Sequence, residues 1–146
     1  MPKAVLDTTV LVSAFLNAKP GGVSYELLRF AEKGTFTLFV SDAILLETVE
    51  TLINHARARR RYQYVDADIV VFCKEVEGLA RIVRNVPQVQ VVRDPNDDMI
   101  LACAIAAGAD YLVSRDKDLL SLGEYEEIEV LSPEAFLRVL RKSTEE

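Results

Sequence analysis

Ala4-Val5-Leu6-Asp7-Thr8-Thr9-Val10-Leu11-Val12 is apolar or β-branched on both sides of a single acid. Runs of this kind fit a strand buried on both faces, as in the middle of a parallel sheet. An acid is out of place within such a strand. At the strand's carboxyl end it reaches the rim, where open α/β sheets gather their ligands. Asp7 is therefore read as a functional residue, and the question becomes which other acids reach the same rim.

Outward from that run, Pro20-Gly21-Gly22 punctuates a loop over residues 17–22. A helix is expected over 23–33, with Leu27, Leu28 and Ala31 on one face and Gly34 as its stop. A short apolar strand is expected over 36–40. Ser41 is a good N-cap for a helix over 42–54, whose stripe is Leu45, Val49, Leu52 and Ile53. Glu47 and Glu50 lie off that stripe. The most basic segment follows, His55-Ala56-Arg57-Ala58-Arg59-Arg60-Arg61-Tyr62. Asp66 or Asp68 opens a helix running to about Ala80. A third strand is expected over 89–92, followed by Arg93-Asp94-Pro95-Asn96-Asp97-Asp98. Pro95 suits a first helical turn, because its missing N–H would be unpaired there anyway. That helix covers 96–107 and stops at Gly108.

Residues 111–114 read as the fourth strand, and Arg115-Asp116-Lys117-Asp118 turns into a short helical segment ending near Gly123. Residues 128–131 read as a fifth strand. Ser132-Pro133-Glu134 supplies a cap, a first-turn proline and an early acid, so a last helix runs to about Lys142. One domain over 1–142 with a frayed tail over 143–146 is expected. Alternating strands and helices favour an α/β fold with a parallel sheet and helices on both faces.

Composition narrows the classes. Half the residues are hydrophobic and 27% charged, as in ordinary globular domains. No apolar run approaches the length of a membrane span, and no signal pattern opens the chain, so a cytoplasmic protein with no membrane partner is expected. Cys73 and Cys103 stand in apolar helical stretches and read as small buried hydrophobes. The net charge of −6 argues against simple coating of a phosphate backbone. It leaves a nuclease open, because cations bound among acids would offset part of it.

Three strand ends carry acids. Asp7 ends the first, Asp97 and Asp98 follow the third, and Asp116 follows the fourth. Parallel strands place all their carboxyl ends on one edge of a sheet, so these residues should converge. Glu47, in the second turn of its helix, can reach the same rim. Each has an ordinary structural use: the helix dipole favours Asp97 and Asp98, Asp116 can cap, and Glu47 can be a solvated helical acid. Asp7 is the hardest to explain that way, since a strand end gains nothing from charge. Two unit charges 4 Å apart repel by about 4 kcal/mol at an effective dielectric near 20. Such a cluster must take up protons or bind cations. All-oxygen ligands suit Mg²⁺ or Mn²⁺. Ions so held can activate a water and stabilise displacement at phosphorus. His55 is the sole histidine, so no Ser-His or Cys-His pair for nucleophilic catalysis is evident.

At this point the chain resembles the PIN domain family, the nuclease module of VapC-like toxins. Leu6-Asp7-Thr8-Thr9-Val10-Leu11-Val12-Ser13-Ala14 is similar to its opening motif. Asp94-Pro95-Asn96-Asp97-Asp98-Met99-Ile100-Leu101-Ala102 is similar to its acidic helix start. The stretch from Ala109 to Leu120, containing Ser114-Arg115-Asp116-Lys117-Asp118, resembles its last acidic motif. The similarity spans nearly the whole chain.

The resemblance implies a three-layer α/β/α sandwich with a five-stranded parallel sheet. It implies a Mg²⁺- or Mn²⁺-dependent endoribonuclease that hydrolyses RNA by a metal-activated water, as the toxin of a toxin–antitoxin pair. Carried over by motif, Asp7, Glu47, Asp98 and Asp116 are the catalytic and metal-binding acids. Asp98 is preferred to Asp97 because it stands four residues before Ala102, and Glu47 to Glu50 by its distance from Ser41. Thr9, Ser114, Asp97 and Asp118 form a supporting set. Thr9 stands where the family commonly has Asn; its hydroxyl can still hold a carboxylate or a water. A homodimer and a cognate antitoxin are expected partners.

Arg57, Arg59, Arg60 and Arg61 are candidate RNA contacts, with an acidic partner or plain solvent as the other uses. The alternative overall function is a catalytically weak PIN-like module that works through protein or RNA partners. An aspartyl phosphatase needs a second Asp where Thr9 stands. A receiver domain needs acids before the first strand's end, and Met1-Pro2-Lys3 has none.

Overall fold

The computed structural model describes residues 1–84 and 86–144. The chain runs β1 (Lys3–Leu6), α1 (Thr8–Leu16), α2 (Val23–Glu32), β2 (Thr37–Ser41), α3 (Asp42–Asn54), α4 (Ala56–Tyr62), α5 (Asp66–Leu79) and β3 (Ala80–Val83). It continues through α6 (Pro95–Ala107), β4 (Tyr111–Val113), α7 (Lys117–Leu120), β5 (Glu124–Tyr125), β6 (Ile128–Leu131) and α8 (Pro133–Thr144).

The sheet has six strands in the order β3-β2-β1-β4-β6-β5. All neighbours are parallel except β5 and β6. The α/β class is the one expected, but five parallel strands become six in a mixed sheet. The added strand β5 forms a hairpin with β6 through Glu126 and Glu127, whose φ angles are +47° and +69°. Primed hairpin turns of this shape favour Asn and Gly, so a Glu-Glu pair hides the turn.

Two further expectations are corrected. The opening run is not one strand: β1 ends at Leu6 and α1 begins at Thr8. Asp7 is the hinge between them. Its N–H donates to the Val113 carbonyl at 3.1 Å, completing the sheet ladder, while its carbonyl accepts from Val10 and Leu11. Its side chain accepts from the Val10 N–H and so caps the helix. Val10, Leu11 and Ala14 are buried on one helical face, and that tertiary burial overrides their β preference.

The third strand is Ala80–Val83 rather than 89–92. It pairs with β2 from Leu38↔Ala80 to Ser41↔Val83, directly after α5 and with no turn residue between. Residues 89–92 are irregular. Val91 and Val92 pack against the core, and their N–H groups donate to Asp98 rather than to a strand. The helix α8 extends through residues 143 and 144, where the frayed tail was expected to begin, and residues 145–146 lie outside the described residues.

Strand order places the site. From β1 the chain winds outward through β2 and β3 on one side, then crosses to β4 and β6 on the other. Ligands bind at such switch points, outside the carboxyl ends of the strands. Here that point lies between β1 and β4. The main core joins β1, β2 and β4 to α1, α2, α6 and α8, with Phe36 and Phe136 edge to face at 5.1 Å. A second cluster of Leu52, Ala58, Tyr64 and Ile69 joins α3, α4 and α5, with Val12, Phe15 and Leu16 of α1 against it. The Tyr64 hydroxyl donates to the Leu52 carbonyl at 2.6 Å. Cys103 is buried, Cys73 is half-buried, and both are free thiols. Among the described residues, no helix is long and apolar enough to cross a membrane.

Candidate active site

Asp7 is fully buried at the end of β1. A carboxylate there survives only if it is well donated to. Thr9 and the Val10 N–H donate to its Oδ1, the latter at 3.1 Å, and the Ser114 hydroxyl donates to Oδ2. Ser114 follows β4, where its N–H donates to the Leu131 carbonyl at 3.0 Å. Burial pushes the Asp7 carboxyl above its ordinary value, against the pull of the Ser114, Thr9 and Val10 donors, and Asp116 adds to the rise. Thr9 also accepts from the Arg115 N–H at 3.1 Å. Its hydroxyl thus ties the end of β1 to the segment after β4, and threonine is long enough for that task.

Asp116 caps α7, its Oδ1 accepting from the Asp118 and Leu119 N–H groups at 2.9 and 3.1 Å. Its own N–H donates to the Ser114 hydroxyl at 2.9 Å. One side of its carboxylate is thereby fixed by the backbone. Asp97 lies in the first turn of α6, 7% exposed, and its Oδ2 is buried without a hydrogen-bond partner. Burial first, then Asp116, Asp94 and Asp118, push its carboxyl up to about 7. Asp97, Asp116 and Asp118 each bring one oxygen within 4.8 Å of the others. A buried, unpaired carboxylate oxygen in such a set requires a proton or a cation. The donors are all hard oxygens, so the residues present fit Mg²⁺ or Mn²⁺.

These groups open onto a cleft of about 560 Å³ lined by Asp7, Thr9, Glu47, Asp97 and Asp116, together with Thr8, Thr51, His55, Asp94 and Asn96. Glu47 lines this cleft from α3. Asp98 does not line this cleft. Its Oδ1 accepts from the Val91 and Val92 N–H groups, each at 2.8 Å, and its side chain borders a different hollow beside residues 86–90. Of the two neighbouring acids, Asp97 and not the motif-matched Asp98 stands with Asp116 on this cleft, since successive residues on a helix point about 100° apart. Asp118 joins the acidic group, with Arg93 Nη2 at 3.6 Å from its Oδ2.

The arginines divide. Arg59 is structural: its Nε donates to the Ile53 carbonyl at 3.0 Å, it pairs with Asp66, and its guanidinium lies over the Tyr64 ring, 5.4 Å from the centroid. Arg57, Arg60 and Arg61 are exposed and form no ion pair among the described residues. Sequence reasoning missed Asp94, Thr51 and His55 as cleft residues. The signal for the last two was the spacing Glu47, Thr51, His55, which repeats every four residues along one helical face.

A family model described as a PIN domain matches residues 3–118. No curated protein matches the chain. The crystal structure of PAE2754 from Pyrobaculum aerophilum is similar with a TM-score of 0.64 and 18% identity, over 97% of this chain and 90% of that one. VapBC2 from Rickettsia felis, solved bound to a DNA fragment from its promoter, is similar with a TM-score of 0.58 and 16% identity, over 89% of this chain and 98% of that one. At these identities the two structures speak to the fold.

Proposed function

This chain belongs to the PIN domain family, and from that premise we propose that it is a metal-dependent endoribonuclease, the toxin of a toxin–antitoxin pair. The observation that carries the reading is the buried, unpartnered Oδ2 of Asp97 in one group with Asp116 and Asp118. Asp97, Asp116 and Asp118 would hold Mg²⁺ or Mn²⁺, with Asp7 and Glu47 on the cleft beside them. An ion held there would supply an activated water and offset charge on the phosphate. Ser114 and Thr9 hold Asp7 in place through both its oxygens. Asp98 fixes the segment before α6 instead of meeting substrate.

The same reading includes a cytoplasmic setting, an antitoxin and a second copy of the chain as partners. Leu46 and Ile53, two turns apart on α3, are exposed on one side of that helix, which a protein partner would cover. Light scattering on the purified chain decides between one copy and two.

The deciding experiment is cleavage of a labelled single-stranded RNA with Mn²⁺, with Mg²⁺ and with EDTA. Wild-type protein is expected to cut only with metal. Asp7→Asn and Asp97→Asn are expected to lose at least a hundredfold in rate, in line with the loss of a group that stabilises developing charge. Cutting that persists in EDTA or in Asp97→Asn would overturn the assignment.

A further inference from the structure

One wall of the cleft is a single stripe of α3 and the residue after it. Glu47, Thr51 and His55 all line the cleft, one helical turn apart. One nitrogen of the His55 imidazole is already committed. His55 Nδ1 accepts the Ala58 N–H at 3.2 Å and so caps α4. In that tautomer Nε2 carries the hydrogen. Among the described residues nothing accepts from Nε2, and the Thr51 hydroxyl has no partner either.

The cleft is therefore graded. Asp7, Asp97 and Asp116 crowd one part, where a phosphate could approach only with cations. Thr51 and His55 offer hydrogen-bond donors and bring no negative charge to a phosphate. The next element in the chain, α4, exposes Arg57, Arg60 and Arg61. We propose that Thr51 and His55 form a subsite for the phosphate next to the scissile one, with His55 donating from Nε2 to a non-bridging oxygen. This rests on the ribonuclease reading above and extends it to the direction in which the strand leaves the acids.

The test is steady-state cleavage of a labelled single-stranded RNA with Mn²⁺, comparing wild type, His55→Asn and His55→Asn with Thr51→Val. Asparagine keeps an acceptor for the Ala58 N–H, because it is a strong N-cap residue, but it falls short of the cleft. The expected result is a KM raised about tenfold in His55→Asn, the size of one lost hydrogen bond to a charged group, with kcat within about twofold. The melting temperature, and its rise on adding Mn²⁺, should match wild type. A double variant that cleaves with wild-type KM overturns the subsite alone. A fall in melting temperature and kcat with KM unchanged overturns it too, and leaves His55 as a structural cap. Wild-type protein that neither cleaves nor retains the RNA overturns the subsite and the ribonuclease reading together.

Discussion

Asp97 carries an energetic cost that can be measured without any substrate. Burial and the neighbouring Asp116, Asp94 and Asp118 raise its carboxyl to about 7, from 3.8 in a free chain. Below about pH 4 both folded and unfolded chains hold the proton, and the group contributes nothing. As pH rises further the unfolded chain releases it first, so stability falls, and the full penalty is present above pH 7. The full shift corresponds to roughly 4 kcal/mol, and the open cleft screens part of it, so about 1–2 kcal/mol is expected. In EDTA, Asp97→Asn should melt about 3–6 °C above wild type at pH 7.5, with the difference vanishing near pH 4. Mn²⁺ should raise the wild-type melting temperature and leave the variant nearly unmoved. Equal melting curves for the two proteins in EDTA across that range would show that Asp97 is neither buried nor crowded as described. Sequence alone could place Asp7, Glu47 and Asp116 at the rim, because strand ends and helical spacing fix them. Between Asp97 and Asp98 it offers only motif spacing, which prefers Asp98 and carries no direction. Adjacent residues in one helical turn differ only in direction, and the direction is set by the packing of the segment over 86–94.

That segment shows how elements support the site. No strand leads into α6, so something else must hold its first turn in place. Asp98 does so by accepting two backbone N–H groups at 2.8 Å, from Val91 and Val92. Asp94 caps the helix by accepting from the Asn96 N–H at 2.9 Å. Asp98→Ala strands two donors at the edge of the core and should cost about 2–3 kcal/mol in urea denaturation. It should keep the melting-temperature rise with Mn²⁺ that Asp97→Asn loses. Loss of the metal response in both variants at full folding would place both acids in the metal site. The misread elements share a cause. Residues 89–92 and Ala80–Val83 are both short and rich in valine or isoleucine, and only the edge of β2 selects one of them. In the opening run, capping by Asp7 and burial of Val10, Leu11 and Ala14 outweigh β propensity after residue 7. The hairpin over β5 and β6 carries no glycine or asparagine at its turn.

Over the whole molecule the acidic excess is unevenly placed, and this decides how an RNA could bind a chain of net charge −6. Acids surround the switch point between β1 and β4, whereas α4, which starts directly after the cleft residue His55, exposes Arg57, Arg60 and Arg61 to solvent. The cluster of Leu52, Ala58, Tyr64 and Ile69 fixes α4 against α3 and α5, so these arginines sit on a supported element. Each phosphate they neutralise should contribute roughly 0.7 to the salt slope of single-strand binding. Arg60→Glu with Arg61→Glu is therefore expected to weaken RNA binding at least tenfold at low salt and to flatten the salt dependence by about two contacts. The Mn²⁺ response should not change and the melting temperature should move little, because neither side chain holds an ion pair among the described residues and Arg61 gives up only an exposed contact with the Tyr62 ring. Arg59→Gln makes the contrast. It gives up the Asp66 pair, the bond to the Ile53 carbonyl and the stacking on Tyr64, so it should lose stability by about 1–2 kcal/mol while keeping the salt slope. Fluorescence anisotropy of a labelled RNA over a salt series separates the two behaviours. An unchanged slope in the double variant would remove α4 from the RNA path and leave its charge to solvent or to a protein partner.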